Sequence, residues 1–450
     1  MNLLLEIIHL TSKYAIKDAK LLQLLAQAFT TFAEETMMAL FMYWTEHWHT
    51  LIKEKMCFLG LPPGEPAIKI GLSPMEKTPT GFQLRDVLSL CLLIGSSGTG
   101  KSSVIIVAAM QLLKIYRNSI ALLAFDFEKD DLRQLAIYAH EKLNIDVDVF
   151  DSPEVFKINI LQIPEGMTVL AFLTILVTLL SENVSLTSAG RAQLFLAEIV
   201  IKTYRRFDIV GDDLNVFPTV KNDRWPTIFD LFRTGEEERV PNDPESRRAK
   251  HVTNAKIYGM INASGGRGGI FACRTGITPK SLQKYHAIFI LKGLQKFVKK
   301  FVTELMLRLT YYTLALNPQN QQQIRVYTVM DDSVDFCLEK YPKDDNTDSF
   351  TDIVLTGRAL GMGWLIAVQD LTGINPILLN EAATKILLRC QNAEVFRKVC
   401  AILNIPEEHW ELVFSAVHGR MAVVKTQNDP EPFMVNLIKP DEFIGEINNG

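Results

Sequence analysis

Residues 95–102 read Gly-Ser-Ser-Gly-Thr-Gly-Lys-Ser, matching G-x-x-x-x-G-K-[ST] at every fixed position. An apolar run, Val87, Leu88 and Leu90–Ile94, precedes the motif, and a second, Val104–Leu113, follows it. The order is strand, glycine turn, helix, as a phosphate-binding loop requires. Glycines let consecutive backbone N–H groups converge on phosphate oxygens, and the helix N-terminus adds positive potential there. Gly95, Ser96, Ser97, Gly98, Thr99, Gly100, Lys101, Ser102 and Ser103 are therefore the candidate nucleotide contacts. Lys101 is expected to reach the β- and γ-phosphates and Ser102 to hold Mg²⁺, which makes ATP and Mg²⁺ the expected cofactors.

Composition bounds the remainder. The 450 residues suffice for one large domain with insertions, or for two to three smaller ones. Hydrophobic residues make up 48% and charged residues 22%, a globular balance. The net charge of −4 offers no overall basic excess, so any nucleic acid must be met by local basic loops. The cysteines (Cys57, Cys91, Cys273, Cys337, Cys390, Cys400) show no C-x-x-C spacing. A disulfide framework or zinc site is not expected, and a reducing cytoplasm fits. The start of the chain lacks a basic n-region and does not read as a secretory signal. The longest strongly apolar uncharged stretch, Gly166–Ser181, has 16 residues and falls short of the about 18 of a spanning helix. No membrane insertion is expected.

Residues 1–60 form a helical N-terminal segment by pattern: Leu21, Leu22, Leu24, Leu25, Phe29 and Phe32 recur at helical spacing, continued by Phe41, Trp44, Trp48, Leu51 and Ile52. Gly60–Pro66 is a breaker cluster. From about residue 80 to 450, strands alternate with helices, which predicts an α/β fold with a parallel central sheet covered on both faces. Predicted strands are 120–125, 147–150, 287–291, 325–330 and 363–368. Residues 165–255 read as a mainly helical insertion. Within it, 234–250 is charged and proline-bearing and reads as an exposed connection; beyond it, Ser264–Gly269 reads as a flexible loop.

A phosphate loop needs an acidic partner on a neighbouring strand. Val326–Met330 delivers Asp331, the expected Mg²⁺ ligand, and Asp332, placed to polarise the attacking water. Asp126 also ends a strand and on its own reads as a turn residue. Gln369 closes the strand after Asp332 and is placed to sense the γ-phosphate. Arg358 stands just before that strand; a guanidinium there could stabilise charge in phosphoryl transfer, although alone it reads as a solvated helix residue. His47 and His49, two apart on a helix, do not share a face and are not read as a metal site.

The order of these motifs resembles the HerA/FtsK-like ATPases, which include HerA-type DNA translocases and the coupling and assembly ATPases of type IV secretion. The resemblance covers roughly residues 85–440 and rests on GSSGTGKS (95–102), ALLAFDFEKDD (121–131), KINILQIPEG (157–166), VYTVMDDS (326–333), LTGRALGMGWLIAVQD (355–370) and LLNEAATKILLRCQN (378–392), with HGRMAVVKTQNDPEPFMVNLIKP (418–440) similar to the closing hairpin. It implies a RecA-like core, a homo-hexameric ring with ATP sites between subunits, and movement of DNA through the pore. By position it implies that Lys101 and Ser102 bind nucleotide and Mg²⁺, that Asp331 is the Walker B acid, that Gln369 is the phosphate sensor, and that Arg358 is offered in trans. Asp332 stands where most members carry glutamate. DFEKDD departs from the D-P-H-G-E or D-P-K-G of better-known members, which leaves Asp126, Glu128 and Lys129 without an assigned role. Neither a β-rich N-terminal barrel nor a membrane anchor is expected from the residues ahead of the loop.

Two classes of function follow. One is an ATPase motor that translocates or unwinds DNA with a partner effector or nuclease; its candidate pore loops are 264–269, with Arg267, and 239–250. The other is a nucleotide-gated assembly scaffold for an effector, with Met37, Phe41, Trp44 and Trp48 as its docking surface or else as a buried cap. A conjugation or type IV secretion ATPase is a third reading. Mobile-element, repair and antiviral-defence pathways all stay open.

Overall fold

Strands that read as near-continuous apolar runs must be covered on both faces, and the central strands of this protein are of that kind. The computed structural model describes residues 4, 7, 8, 11, 16, 18–31, 33–51, 66–74, 78–83, 86, 89–183, 190–220, 224–278, 286–316, 324–337, 349–369, 371, 374–417, 420–427 and 431–449. The strands are β1 (Ile68–Leu72), β2 (Pro79–Phe82), β3 (Leu90–Ile94), β4 (Ala121–Asp126), β5 (Val147–Phe150), β6 (His286–Ile290), β7 (Val326–Asp331), β8 (Met362–Val368), β9 (Thr384–Leu387), β10 (Met421–Thr426) and β11 (Phe433–Leu437). Every residue of β3, β4, β6, β7 and β8 is buried.

The chain divides into two compact units, Met1–Leu112 with Leu365–Gly450, and Leu113–Trp364. In the first, strands follow the order β2-β1-β11-β10-β9-β3, with the Leu365–Val368 end of β8 beyond β3. β3 and β9 are parallel, and Ile94 pairs with Leu387. The outer pairings, β9 to β10, β10 to β11, β11 to β1 and β1 to β2, are antiparallel. Strand pairing thus begins at Ile68, ahead of residue 80. Gly71 and Gly81 lie where a Cβ would strike the Asn436 and Ile68 carbonyl oxygens of the facing strands, so these glycines allow close approach rather than breaking the strand.

Two helices, α1 (Ala19–Thr31) and α2 (Glu34–Leu51), carry the N-terminal segment. Asp18 ties them together: its Oδ1 accepts the Leu21 N–H at 2.7 Å as an N-cap and the Tyr43 hydroxyl at 3.2 Å. Leu21, Leu25, Ala28, Leu40 and Trp44 are buried, whereas Met38 and Met42 are 55% and 56% exposed. The Trp44 ring is thus core, and the side chains of Trp48 and His49 lie outside the described residues, as do Cys57 and residues 60–65. His47 stacks on Tyr43 and its Nδ1 lies 3.1 Å from the Tyr43 carbonyl. After the glycine loop, α3 (Lys101–Tyr116) carries Gln111, which donates to Lys69 O at 2.5 Å and accepts Lys69 N–H at 2.8 Å. One side-chain amide thus pairs with the β1 backbone at Lys69 through both its donor and its acceptor.

In the second unit the order is β7-β4-β6-β5, and each described pairing is parallel. Between β5 and β6 lie helices α4 (Val169–Asn183), α5 (Gly190–Arg206), α6 (Ile228–Glu237) and α7 (Pro244–Ala263); α8 (Lys296–Leu316) follows β6. The stretch 234–250 is largely exposed, as expected, but it is mostly helix rather than connection. It ends α6 and begins α7, leaving only 238–243 between them. Pro244 occupies the first turn, where a missing N–H costs nothing, and Asp243 caps it by accepting the Ser246 N–H at 2.8 Å. The 264–269 loop is a hydrogen-bonded turn. Gly265 and Gly266 adopt φ of 100° and 63°, and Lys157 Nζ donates to Gly268 O and Gly269 O at 2.9 Å each. Arg267 is exposed on it.

Candidate nucleotide site

The glycine loop is built by the first unit alone. Ile94, the last residue of β3, accepts the Leu388 N–H at 2.7 Å; one residue on, Gly95 N–H donates to Val368 O at 3.1 Å and Ser96 N–H to Arg389 O at 3.0 Å. Gln391 N–H donates to Ser96 Oγ at 2.9 Å. The loop is therefore gripped from two strand ends, that of β8 and that of β9. Gly98 and Gly100 take φ of 77° and 99°, the left-handed region that only glycine enters at no cost. Thr99 Oγ1 donates to Ser96 O at 2.8 Å. Lys101 is 4% exposed and its Nζ donates to Gly95 O at 2.9 Å and Ser96 O at 3.3 Å. Val104 N–H returns to Gly100 O at 3.1 Å, starting α3 at the mouth of the loop.

These features fit a nucleotide's phosphates. The left-handed glycines turn peptide N–H groups into a concavity, a buried ammonium lies across it, and a helix N-terminus opens there. Ser97 and Gly98 are exposed, and Ser96, Thr99, Gly100, Ser102 and Ser103 are half-buried, so the loop faces outward. Gln369 is half-buried and follows Val368, the acceptor of the Gly95 N–H. The structure thus brings the sensor candidate to the loop. The 388–392 turn, which clamps Ser96, carried no role in the sequence reading; its signal was the LLRCQN segment.

The second unit presents carboxylates at the C-terminal strand ends. Asp126 of β4 and Asp331 of β7 stand in register, and both are 1% exposed. Asp126 accepts the Lys129 N–H at 3.0 Å and the Leu132 N–H at 3.2 Å, closing the turn after β4. Burial raises its carboxyl above the ordinary range; those two N–H groups pull it back, and Asp131 and Asp332 push it up again. Asp332 takes a left-handed φ of 54°, uncommon for a residue other than glycine. Its Oδ2 lies 3.8 Å from Lys129 Nζ. Among the described residues no group of three or more His, Cys, Asp or Glu side chains is arranged to hold a metal unaided. The Ser102 hydroxyl at the start of α3 is an oxygen donor of the kind Mg²⁺ shares with phosphates.

Arg358 lies elsewhere. It is exposed in a short helical turn, Arg358–Leu360, closed by Gly361 N–H to Arg358 O at 3.0 Å. Gly361 O accepts the Arg325 and Val326 N–H groups at 2.8 and 3.2 Å. Arg358 therefore belongs to the N-terminal edge of β7, whereas Asp331 ends that strand. The strand length, about 17 Å at roughly 3.3 Å per residue, separates them.

No known protein family matches the sequence, and no curated protein matches it either. Solved structures do match. VirB4 of Thermoanaerobacter pseudethanolicus is 16% identical, with a TM-score of 0.60 over 86% of this chain and 100% of that one. The plasmid coupling protein TrwB in complex with ADP and Mg²⁺ is 12% identical, with a TM-score of 0.58 over 85% of this chain and 94% of that one. The likeness is one of fold, an α/β core of RecA-like P-loop type shared along nearly the whole length of those chains.

Proposed function

We propose that this protein is an ATP-hydrolysing hexameric motor of FtsK/HerA type that moves DNA. The carrying observation is the Gly95 N–H bond to Val368 O, which fixes Gln369 beside a phosphate loop already gripped by the 388–392 turn. In this reading, residues 95–103 hold the nucleotide, Lys101 lies against its β- and γ-phosphates, and Ser102 and Asp331 hold Mg²⁺. The ion would neutralise charge on the phosphate oxygens. Asp332 orients and deprotonates the attacking water, and Gln369 reports the γ-phosphate. Arg358, at the far edge of β7, completes a neighbouring subunit's site, as a closed head-to-tail ring permits. TrwB was solved with ADP and Mg²⁺, which supports the same cofactors here. Among the described residues no helix is long and apolar enough to cross a membrane; a cytoplasmic ring is part of the proposal.

The test is ATP hydrolysis with and without DNA, on the wild type and on Lys101→Ala, with native mass measurement. The reading expects hydrolysis lost in Lys101→Ala, stimulation by DNA that weakens with salt, and a six-subunit mass. DNA-independent turnover without DNA binding would remove the motor half.

A second reading, nucleotide-gated assembly with a nuclease or other effector, draws on Met38 and Met42, exposed on α2 where a partner could cover them. Mass measurement with ATP, ADP and no nucleotide, with and without residues 1–60, separates the two. A hexamer unchanged in all samples counts against gating. The fold shared with VirB4 and TrwB equally supports a conjugation or secretion ATPase, which neighbouring relaxase or pilus genes would favour.

A further inference from the structure

We propose that Lys129, in the DFEKDD segment that departs from the resembling family's pattern, is a positioning residue that sets where the Asp332 carboxylate stands. The inference rests on the ATPase reading above for its kinetic arm only.

Aspartate carries its carboxylate on a single Cβ, so backbone conformation decides where it points. The φ of 54° at Asp332 turns the chain just beyond β7, and its Oδ2 comes 3.8 Å from the Lys129 ammonium. Lys129 itself does not sit on a loose loop. Asp126 accepts its N–H and that of Leu132. Lys299 of α8 grips the same turn, donating to Phe127 O at 2.5 Å and Glu128 Oε1 at 2.9 Å. Phe127 packs against Phe336, just after Asp332, with ring centroids 4.9 Å apart. The turn is therefore held by a carboxylate, a lysine and an aromatic contact, and it brings the Lys129 ammonium to the Asp332 carboxylate.

Lys129 has a second neighbour, Asp131, at 3.9 Å. The distances hardly differ, so solvent decides. The Asp131 side chain is 48% exposed and the Asp332 side chain 5%. Water and salt screen the first pair more than the second, so Asp332 is the partner that holds the lysine more strongly. A glutamate at 332 would reach further from the backbone without such a guide. Here the shorter acid and the lysine work as a pair: the αL backbone aims the carboxylate and Lys129 stops it from turning away.

Two measurements on the full-length protein test this. In the first, lysines are acetylated at limiting reagent and the Lys129 peptide is quantified by mass spectrometry. Asp332→Asn should raise Lys129 labelling severalfold, and Asp131→Asn should raise it less. Equal labelling in the wild type and Asp332→Asn overturns the proposal, whatever the protein's activity. In the second, Lys129→Met should lower the kcat for ATP about tenfold while the KM and the affinity for a fluorescent ADP stay within twofold; Lys129→Arg should recover most of the loss. A Lys129→Met enzyme with wild-type kcat, or one that loses ADP affinity in step with kcat, also overturns it. A wild type that does not hydrolyse ATP defeats the ATPase reading, and the labelling result then decides the pairing by itself.

Discussion

The Gly95 amide and the Val368 carbonyl oxygen share a hydrogen bond of 3.1 Å, linking the first residue of the glycine loop to the residue before Gln369. A change at the loop that shifts Gly95 must also move the end of β8. If Gln369 acts as proposed, this bond couples its position to that of the loop. Gln369→Ala should lower kcat about a hundredfold, the usual loss when one polar group aimed at developing charge is removed, and leave the KM for ATP within threefold. Steady-state kinetics decide. A raised KM at unchanged kcat would make Gln369 a ground-state contact instead.

Gly95 and Ser96 should separate crowding from hydrogen bonding. A Cβ at Gly95 would stand 2.6 Å from Leu388 Cβ and 2.8 Å from Thr99 Oγ1, with the first of these fixed to the backbone. Gly95→Ala should destabilise by about 1–3 kcal/mol through overpacking and weaken nucleotide binding with it. Ser96→Ala removes only the acceptor of the Gln391 N–H, for about 1 kcal/mol. Urea midpoints and ADP titrations check both. Equal losses in the two variants would show that the 388–392 clamp, not the space at Gly95, governs the loop.

What the sequence discloses follows from how local each signal is. The glycine loop is legible because turn geometry demands particular residues at fixed offsets. β3, β4, β7 and β8 are legible because strands buried on both faces read as unbroken apolar runs. The grip of Arg389 and Gln391 on Ser96 is not, since it joins positions nearly 300 residues apart through the backbone groups of 389 and 391, which leave no trace in composition. Pro244 and its charged neighbours imitate a connection because the first turn of a helix tolerates what its interior does not. Gly71 and Gly81 hide β1 and β2 for the same reason: close approach and a turn call for the same residue. The pairing of Lys129 with Asp332 has no periodicity at all.

His286 should give the fold a dependence on acid. It is 5% exposed at the start of β6, and its Nδ1 accepts the Leu122 N–H at 3.3 Å, which only a neutral ring can do. Burial lowers its pKa below the ordinary histidine value of 6.5. A depressed pKa means the contribution is fully present above the unfolded value and is lost as pH falls through the folded one. Stability should therefore decline from about pH 6.5 downward. His286→Asn keeps an acceptor without a titrating ring, so its urea midpoint should fall less between pH 8 and pH 5. Parallel curves for the two proteins would exclude the histidine as the cause.

Arg358 provides the strongest test of a shared site. Its turn is bonded to the first residue of β7 through Gly361, and Asp331 ends that strand, so a strand length of about 17 Å keeps the guanidinium from its own subunit's carboxylate. If the arginine serves a neighbour, Arg358→Ala and Lys101→Ala damage opposite halves of a site. Each alone should reduce hydrolysis to background while Arg358→Ala still binds ADP. Co-expressed in equal amounts, they should recover about a quarter of wild-type activity: a working site needs an intact loop from one subunit and an intact arginine from the next, each with a chance of about one half in a randomly mixed head-to-tail ring. Mixed rings with no more activity than either parent would place the arginine's role within its own subunit or remove it from hydrolysis altogether.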